Sequence, residues 1–139
     1  MPGYAVKRID DMEAAFGGAF RRARAELGAS AFGFQVIDLP PNSGDLAPEH
    51  DHSFDGQEEV YAVLRGSGEV EIEGNAYAID PETMVRVSAG VRRRLRGGPE
   101  GIRVLAIGGV PGAAYEPHPY SELGGPEELP DPTASSSAA

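Results

Sequence analysis

Cysteine is absent from the chain, and so is any long apolar stretch. Without cysteine there is no disulfide framework and no thiolate metal site, which fits a reducing compartment such as the cytosol. No apolar run reaches the roughly 20 residues that a membrane-spanning helix needs, and the first residues carry no apolar signal-peptide core. We therefore expect a cytoplasmic protein that does not bind membranes.

Positive charge is scarce as well. The chain has 12 Lys and Arg against 22 Asp and Glu, so its formal net charge is −10. Such a balance argues against nucleic acid and anionic membranes as partners. The arginine-rich stretch at residues 92–96 is too short to change this expectation.

Helical periodicity is weak, whereas turn residues are abundant. The 139 residues include 19 Gly and 12 Pro, and the length suits one domain. Apolar residues alternate with polar ones in short segments, a period-two pattern that predicts strands. Short strands at regular spacing, bounded by glycine turns, are typical of a β-sandwich or small barrel. The expected strands are residues 30–39, 60–65, 69–73, 76–79, 85–87, 91–96 and 102–107, with a tight turn at residues 66–68.

The N-terminal part is harder to interpret. Residues 2–9 fit a short edge strand, and residues 12–16 fit a short helix capped by Asp10 and Asp11. Residues 20–27 have the composition of a helix, and an extended edge segment suits them nearly as well.

In two of the expected strands, the distribution of apolar side chains between the two faces predicts which residues point inward. Residues 60–65 are apolar on both faces, as in a strand that is covered on both sides. In residues 91–96, Val91, Arg93 and Leu95 share one face, and three further arginines share the other. Arg93 is therefore expected to point inward with its apolar neighbours.

In the central stretch, Gly44 is followed after five residues by His50-Asp51-His52, then by Glu59, and after six more residues by Gly66. This pattern resembles the first motif of the cupin family of jelly-roll β-barrels. The second cupin motif usually reads Pro-x-Gly, two residues, then His; here the stretch is Ser88-Ala89-Gly90-Val91-Arg92-Arg93. The resemblance covers residues 32–108. It implies an all-β, cupin-type jelly-roll β-barrel with a short N-terminal helix.

The chain departs from the family pattern in two ways. Six residues separate His52 from Glu59, where cupins usually place three or four. Gln57 or Glu58 is therefore an alternative inward residue to Glu59. The second departure is Arg93, which stands where the family places a histidine.

The histidines suggest a metal site. Residues at i and i+2 of an extended chain point the same way, so His50 and His52 can face one pocket with Glu59. Two imidazoles and a carboxylate suit a divalent ion such as Fe, Mn, Ni or Zn. Arginine does not ligate metals, and at an effective dielectric of about 20 two unit charges 4 Å apart interact by about 4 kcal/mol, which a divalent ion doubles. An inward Arg93 therefore disfavours an ion unless a bound anion or Glu59 lies between them. Pairing of Arg93 with Glu59 in place of a metal is the alternative.

Three hypotheses for function follow. The favoured one is a protein that binds a small, possibly anionic organic molecule without a complete metal site. Its expected ligand-binding residues are Arg93, Glu59, Tyr61, His50 and His52. The second is a metal-dependent enzyme, of dioxygenase or isomerase type, using His50, His52 and Glu59. The third is a non-catalytic sensor or scaffold. A homodimer is expected in each case, and the sequence does not decide whether a reaction is catalysed.

Residues outside the barrel are expected to be less regular. We divide the chain into an N-terminal arm (1–31), the barrel (32–110) and an irregular C-terminal tail (111–139). From Ser121 onwards the tail is acidic, rich in Pro, Gly and Ser, and poor in large apolar residues, so disorder is expected there. His118 is expected at the surface.

Overall fold

The computed structural model of the chain describes residues 3–130, and these are mostly β-structure. The strands and the α-helix are, in chain order, β1 (Ala14–Ala15), β2 (Phe20–Arg21), α1 (Ala23–Leu27), β3 (Gly33–Leu39), β4 (Glu58–Ile72), β5 (Asn75–Ile79), β6 (Met84–Val87) and β7 (Arg93–Gly109). Short 3₁₀ turns lie at Ile9–Asp11, Phe16–Gly18 and Pro119–Ser121.

The long strands β4 and β7 organise the sheet. They pair antiparallel along their whole length, from Glu58 opposite Gly109 to Ile72 opposite Arg93. The sheet order is β1-β2-β3-β7-β4-β5, and β6 pairs with the first half of β4. Side chains from both halves of β4, such as Tyr61 and Val70, enter one buried cluster. The two halves of the sheet therefore face each other across a common core, as in a jelly roll.

The predicted turn at residues 66–68 is wrong. β4 does not return on itself there but continues through irregular pairing between Val63 and Gly68. Gly66 has φ +77, and a Cβ on it would meet the carbonyl oxygen of Gly101 on β7. The glycines therefore allow the paired strands to approach closely and bend, because both halves of β4 bond to β7 rather than to each other.

We expect Gly66→Ala to lower the free energy of unfolding by more than about 2 kcal/mol, because a non-glycine residue at positive φ costs about 1–3 kcal/mol and the methyl group also overlaps the Gly101 carbonyl. Gly74→Ala is the matched control, since Gly74 has φ +81 and open space around its Cα. Urea unfolding measures both. Equal losses in the two variants would contradict a steric role for the approach of β4 to β7.

The N-terminal elements differ from those predicted. Residues 3–8 form no strand, and residues 12–16 form no helix. Both alternatives for residues 20–27 occur in succession, since Phe20–Arg21 pairs with β3 and Ala23–Leu27 is helical. The edge of β3 offers backbone partners that override the helix propensity of the first two residues. Gly28 ends the helix at φ 74.

Of the two predicted apolar faces of β4, one is buried in the core and the other is partly exposed. Tyr61 and Val63 are buried on one face of β4, whereas Leu64 on the other face is 42% exposed in the single chain. The expectation that β4 is covered on both sides is therefore wrong for Leu64 within this chain. A second subunit over this outer face remains a prediction.

An ion-pair cluster ties the N-terminal arm to the sheet. Arg103 on β7 donates to Asp38 on β3 (Nε–Oδ1 2.7 Å) and to Asp10 in the arm (Nη2–Oδ1 2.6 Å). Arg21 on β2 also donates to Asp38 (Nε–Oδ2 3.0 Å). Burial raises the pKa of Asp38, but the hydrogen bonds from Arg103 and Arg21 outweigh burial and leave the pKa lowered. The ionised form of Asp38 is therefore stabilised by folding.

This shift gives a pH-dependent contribution to stability. The folded pKa of Asp38 lies below its unfolded value of about 3.9, so the contribution is complete above that value and is lost as the pH falls through the folded pKa. We expect Asp38→Asn to cost about 1–3 kcal/mol at pH 7, because it leaves donors of Arg103 and Arg21 unpaired, and to cost less at pH 3. Urea unfolding at both pH values measures the difference. Glu69→Gln, at an exposed position on β4, is the control, and a cost that does not vary with pH would contradict this assignment.

The C-terminal segment is irregular but holds defined contacts. Arg22 donates to the carbonyl oxygens of Tyr120 (2.9 Å) and Gly125 (3.0 Å), and Ser121 is buried. The expected disorder therefore does not begin at Ser121. The end of the predicted disordered stretch, residues 131–139, lies outside the described residues. Within residues 3–130, no helix has the length and apolar character needed to cross a membrane.

Candidate functional site

A cavity of about 580 Å³ opens between the sheet and the C-terminal segment. Its polar groups belong to the motif residues and their neighbours, and aromatic and aliphatic side chains form the rest of its lining. Its polar lining residues include Gln35, Glu49, His50, Asp51, His52, Gln57, Glu59, Tyr61, His118 and Tyr120. A second hollow of about 720 Å³ lies beside the Arg103–Asp38 cluster, whose charges are already paired. The first cavity is therefore the candidate site.

His50 and His52 lie on the extended chain just before the loop that leads into β4. His50 exchanges backbone hydrogen bonds with Arg93 (3.0 and 2.9 Å), and His52 donates from its backbone to Ala89 (2.7 Å). These bonds fix both residues against the segment around β7. The two rings lie on the same side with centroids 5.3 Å apart, as predicted from their spacing.

β4 presents alternate residues to the cavity. Gln57, Glu59 and Tyr61 line it, whereas Glu58 points to the other side and pairs with Arg86 (3.5 Å). Glu59 is therefore the inward carboxylate, and the alternative of Glu58 is wrong. Gln57 also faces inward, because it lies two residues before Glu59 on an extended chain and so points to the same side.

The side chain of Arg93 is fully buried. Its Nη2 donates to Glu59 Oε1 (2.8 Å), its Nε to the Tyr61 hydroxyl (3.3 Å) and its Nη1 to the Val91 carbonyl (2.6 Å). The predicted inward direction and the predicted pair with Glu59 are confirmed. The guanidinium lies behind the carboxylate and does not line the cavity. Its N–H groups therefore donate to protein groups rather than to a ligand.

Glu59 is the centre of a dense hydrogen-bonding group. Its Oε1 accepts from Arg93 and from the Tyr61 hydroxyl (2.8 Å each) and lies 3.2 Å from His52 Nε2. Burial raises the pKa of Glu59, but the adjacent imidazoles of His50 and His52 and the charge of Arg93 outweigh burial and hold the pKa well below its usual range. Burial and the neighbouring carboxylate raise the pKa of Tyr61. Glu59 is therefore ionised and Tyr61 is neutral.

His52 is held between two carboxylates. Its Nδ1 contacts both oxygens of Asp55 (3.0 and 3.1 Å), and its Nε2 contacts Glu59 (3.2 Å). Burial lowers the pKa of His52, but the hydrogen bonds to Asp55 and Glu59 outweigh burial and raise the pKa to about 9. Both ring nitrogens consequently donate at neutral pH.

His50 is the more open of the two imidazoles. Its Nδ1 lies 3.2 Å from the Pro48 carbonyl oxygen. Because a carbonyl only accepts, Nδ1 carries the proton in this contact. The Nε2 atom then faces Glu59 at 3.8 Å. With its side chain 36% exposed, His50 can meet a ligand directly.

Asp55, Phe54 and His118 are site residues that sequence reasoning missed. Asp55 Oδ2 also accepts from His118 Nε2 (2.9 Å), and the Phe54 ring lies between those of His52 and His118, with centroids 5.6 and 5.5 Å away. His118 is half-buried rather than at the surface. The long six-residue loop after His52 was the available signal for Asp55, whereas no sequence pattern linked it to His118, 63 residues away.

His50, His52 and Glu59 form a group that could hold a metal ion, since their ligand atoms lie within 4.8 Å of one another. Metal–ligand bonds of about 2.1 Å place neighbouring ligand atoms about 3 Å apart, and the distances from Glu59 Oε1 to the two Nε2 atoms are 3.2 and 3.8 Å. The same Oε1 atom already accepts from Arg93 and Tyr61. The spacing of the three ligand atoms suits a metal ion. Their hydrogen bonds, however, are made to one another and to neighbouring protein groups, as in a site without a metal.

Solved structures of cupin proteins share this architecture. A cupin protein from Bacteroides fragilis matches with a TM-score of 0.64 at 18% identity, over 85% of this chain and 92% of its own. The cupin domain of an XRE-family transcriptional regulator from Enterobacter cloacae gives a TM-score of 0.51 at 20% identity, over 60% and 86%. An RmlC-like cupin protein from Desulfovibrio desulfuricans gives 0.50 at 17% identity, over 58% and 73%.

The chain is therefore a small domain with the cupin fold. No family model matches its sequence, and no curated protein matches it. At the identities above, the likeness is one of fold. The predicted fold class, a cupin-type jelly-roll barrel with a short N-terminal helix, is confirmed, although the helix is Ala23–Leu27 rather than residues 12–16.

The buried ion pair gives a stability prediction. We expect Arg93→Met to cost about 3–5 kcal/mol of unfolding free energy, because it leaves the Glu59 carboxylate buried without its cation. The double variant with Glu59→Gln should cost less than the sum of the two single variants, since it removes both charges. Urea unfolding of the four proteins measures the coupling.

Arg86→Met is the matched control. Arg86 pairs with Glu58 at an exposed position (3.5 Å), and such pairs contribute about 0–1 kcal/mol. Additive costs in the Arg93–Glu59 cycle would contradict a direct interaction between these two side chains.

Proposed function

We propose that this chain binds a small organic molecule in the 580 Å³ cavity and needs no resident metal ion. The observation that carries the proposal is the bonding of Glu59 Oε1, which accepts from Arg93 and Tyr61 at 2.8 Å each. A metal at this oxygen would compete with both donors for its lone pairs. Loss of either bond would leave a buried donor, Arg93 or Tyr61, without its partner.

The balance of charge supports the same proposal. Glu59 is paired with Arg93 and Asp55 with His52, so the polar part of the site is neutral when His52 is protonated. Exchange of the His52 proton for a divalent ion would leave an excess positive charge next to a buried guanidinium.

The cavity lining supports an organic ligand. Its volume falls in the range of small-molecule pockets, about 300–1,000 Å³. Aromatic and aliphatic side chains surround a few convergent polar groups, including His50 and Gln57. No lysine or arginine is among the described residues that line it. The expectation of an anionic ligand held by Arg93 therefore loses its basis, because the guanidinium is buried behind Glu59.

A metal-dependent enzyme, of dioxygenase or isomerase type, is the alternative function. Two observations favour it: the spacing of His50, His52 and Glu59, and the contact of Asp55 with His52 Nδ1, which is the usual support for a metal-bound imidazole. A bound Fe, Mn, Ni or Zn would supply Lewis acidity or redox chemistry. This function requires that Glu59 give the metal a lone pair that its bonds to Arg93 and Tyr61 leave free.

Metal content separates the two functions. Protein purified without chelator is expected to hold far less than one equivalent of Fe, Mn, Ni or Zn by elemental analysis. Arg93→His, which removes the buried cation and restores an imidazole, is expected to gain close to one equivalent of zinc. Arg86→His is the control, because it adds a histidine outside the cavity.

Near-stoichiometric metal in the wild-type protein, lost in the variant with both His50→Ala and His52→Ala, would overturn the metal-free proposal and favour the enzyme. The same preparation should bind members of a fragment library, with shifted amide signals at Phe54, Glu59 and His118 in NMR spectra. A library that leaves all cavity signals unchanged would refute small-molecule binding.

A further inference from the structure

A continuous row of aromatic rings lines one side of the cavity. It runs from the paired histidines to the cavity edge, with successive centroids 5.3, 5.6, 5.5, 5.7 and 5.5 Å apart. The members of this ring row are His50, His52, Phe54, His118, Tyr120 and Phe20. Two neighbouring pairs are stacked, His52 with Phe54 at 24° and His118 with Tyr120 at 12°.

The outer rings are incompletely covered by the chain itself. Phe20, Phe54 and Tyr120 are half-buried and all line the cavity. Apolar surface that remains in contact with water is a source of binding free energy for an apolar occupant. Ring faces prefer offset-stacked or edge-to-face contacts with other rings. A row of rings therefore favours a planar aromatic occupant over an aliphatic one of the same size.

One polar group in the cavity lining lacks a hydrogen-bond partner among the described residues. Gln35 on β3 lines the cavity, and its Oε1 is buried without a hydrogen-bond partner among the described residues. The Oε1 atom of Glu59, by contrast, accepts two hydrogen bonds from within the protein. Because this oxygen is buried, the side-chain amide must turn about its last bond to present its oxygen or its NH₂ group to a ligand. A ligand hydroxyl, which both donates and accepts, satisfies either orientation.

The charges of the lining argue against an anionic ligand. Glu49 and Asp51 line the cavity together with Glu59, and its described lining contains no lysine or arginine. Arg92 pairs with Glu49 outside the lining (2.7 Å). The cation in the lining, protonated His52, already contacts Asp55 (3.0 Å) and Glu59 (3.2 Å). An incoming carboxylate or phosphate would therefore meet acidic groups and no unpaired cation, so an uncharged molecule is favoured.

We infer that the cavity binds an uncharged, planar, hydroxylated aromatic molecule of the phenol class, with its ring against the ring row and its hydroxyl at Gln35. The inference rests on the proposed function, since it names the ligand class of the same cavity. It assigns recognition to Gln35, Phe54 and Tyr120 rather than to the buried pair of Glu59 and Arg93.

Four probes of similar size test the ligand class by NMR titration of the full chain. The reference probe is 2-naphthol. 2-Methoxynaphthalene lacks the donor, 2-naphthoate is an anion, and trans-2-decalol keeps the hydroxyl but is not planar. We expect 2-naphthol to bind about tenfold more tightly than each of the others, the effect of one hydrogen bond or of lost ring contacts. Its binding should shift amide signals of Gln35, Phe54 and Tyr120.

Single substitutions test which residues contact the ligand. Gln35→Leu should weaken 2-naphthol about tenfold and leave 2-methoxynaphthalene unchanged, because only the hydroxyl loses a partner. Tyr120→Leu should weaken both. Tyr77→Leu is the control, since Tyr77 is an exposed aromatic residue on β5 that does not line the cavity. The comparison of probes on the wild-type chain remains decisive if a variant does not fold.

The outcomes separate this inference from the proposed function. Binding of 2-naphthoate or trans-2-decalol at the cavity as tightly as 2-naphthol would overturn the ligand class and leave small-molecule binding intact. Equal binding of 2-methoxynaphthalene would remove the hydroxyl contact and overturn the phenol assignment. If neither the four probes nor the fragment library shifts any cavity signal, both the inference and the proposed function are refuted.

Discussion

The carboxylate of Glu59 and the guanidinium of Arg93 meet inside the barrel, on the two long strands that pair along their whole length. Burial makes each charge costly without the other, so both strands must be in register for the pair to form. The ionised carboxylate in turn orients His52, which contacts Asp55, and Asp55 contacts His118. One buried charge pair thus extends through a chain of contacts from the sheet to the C-terminal segment.

This chain of contacts satisfies most of the polar groups beneath the cavity. Where a cupin-like motif offers two histidines and a glutamate, the same atoms here donate to or accept from one another. Polar groups that are already satisfied contribute little to recognition of a ligand. We propose that recognition depends instead on the aromatic rings and on Gln35, whose carbonyl oxygen lacks a partner among the described residues. These features are the basis for proposing an uncharged organic ligand rather than chemistry at a metal.

Local patterns predicted the parts of the fold that depend on side-chain direction. Alternation placed Tyr61, Val63 and Arg93 inside, because the two-residue repeat of a strand holds in any sheet. The same reasoning failed at Gly66, where a glycine pair resembles a hairpin turn but belongs to an irregularity in one continuous strand. A turn and a bulge use similar residues, and only the identity of the paired strand distinguishes them.

The sequence alone determined the all-β class, the inward direction of Arg93 and the shared side of His50 and His52, since each follows from spacing along an extended backbone. Tertiary structure decided which groups meet. Asp55 and His118 lie 63 residues apart in the chain and contact only because the C-terminal segment returns to the cavity. The ring row has the same origin, because it joins rings from the N-terminal arm, the motif loop and the C-terminal segment. Contacts between distant segments depend on how the whole chain packs, which no local pattern encodes.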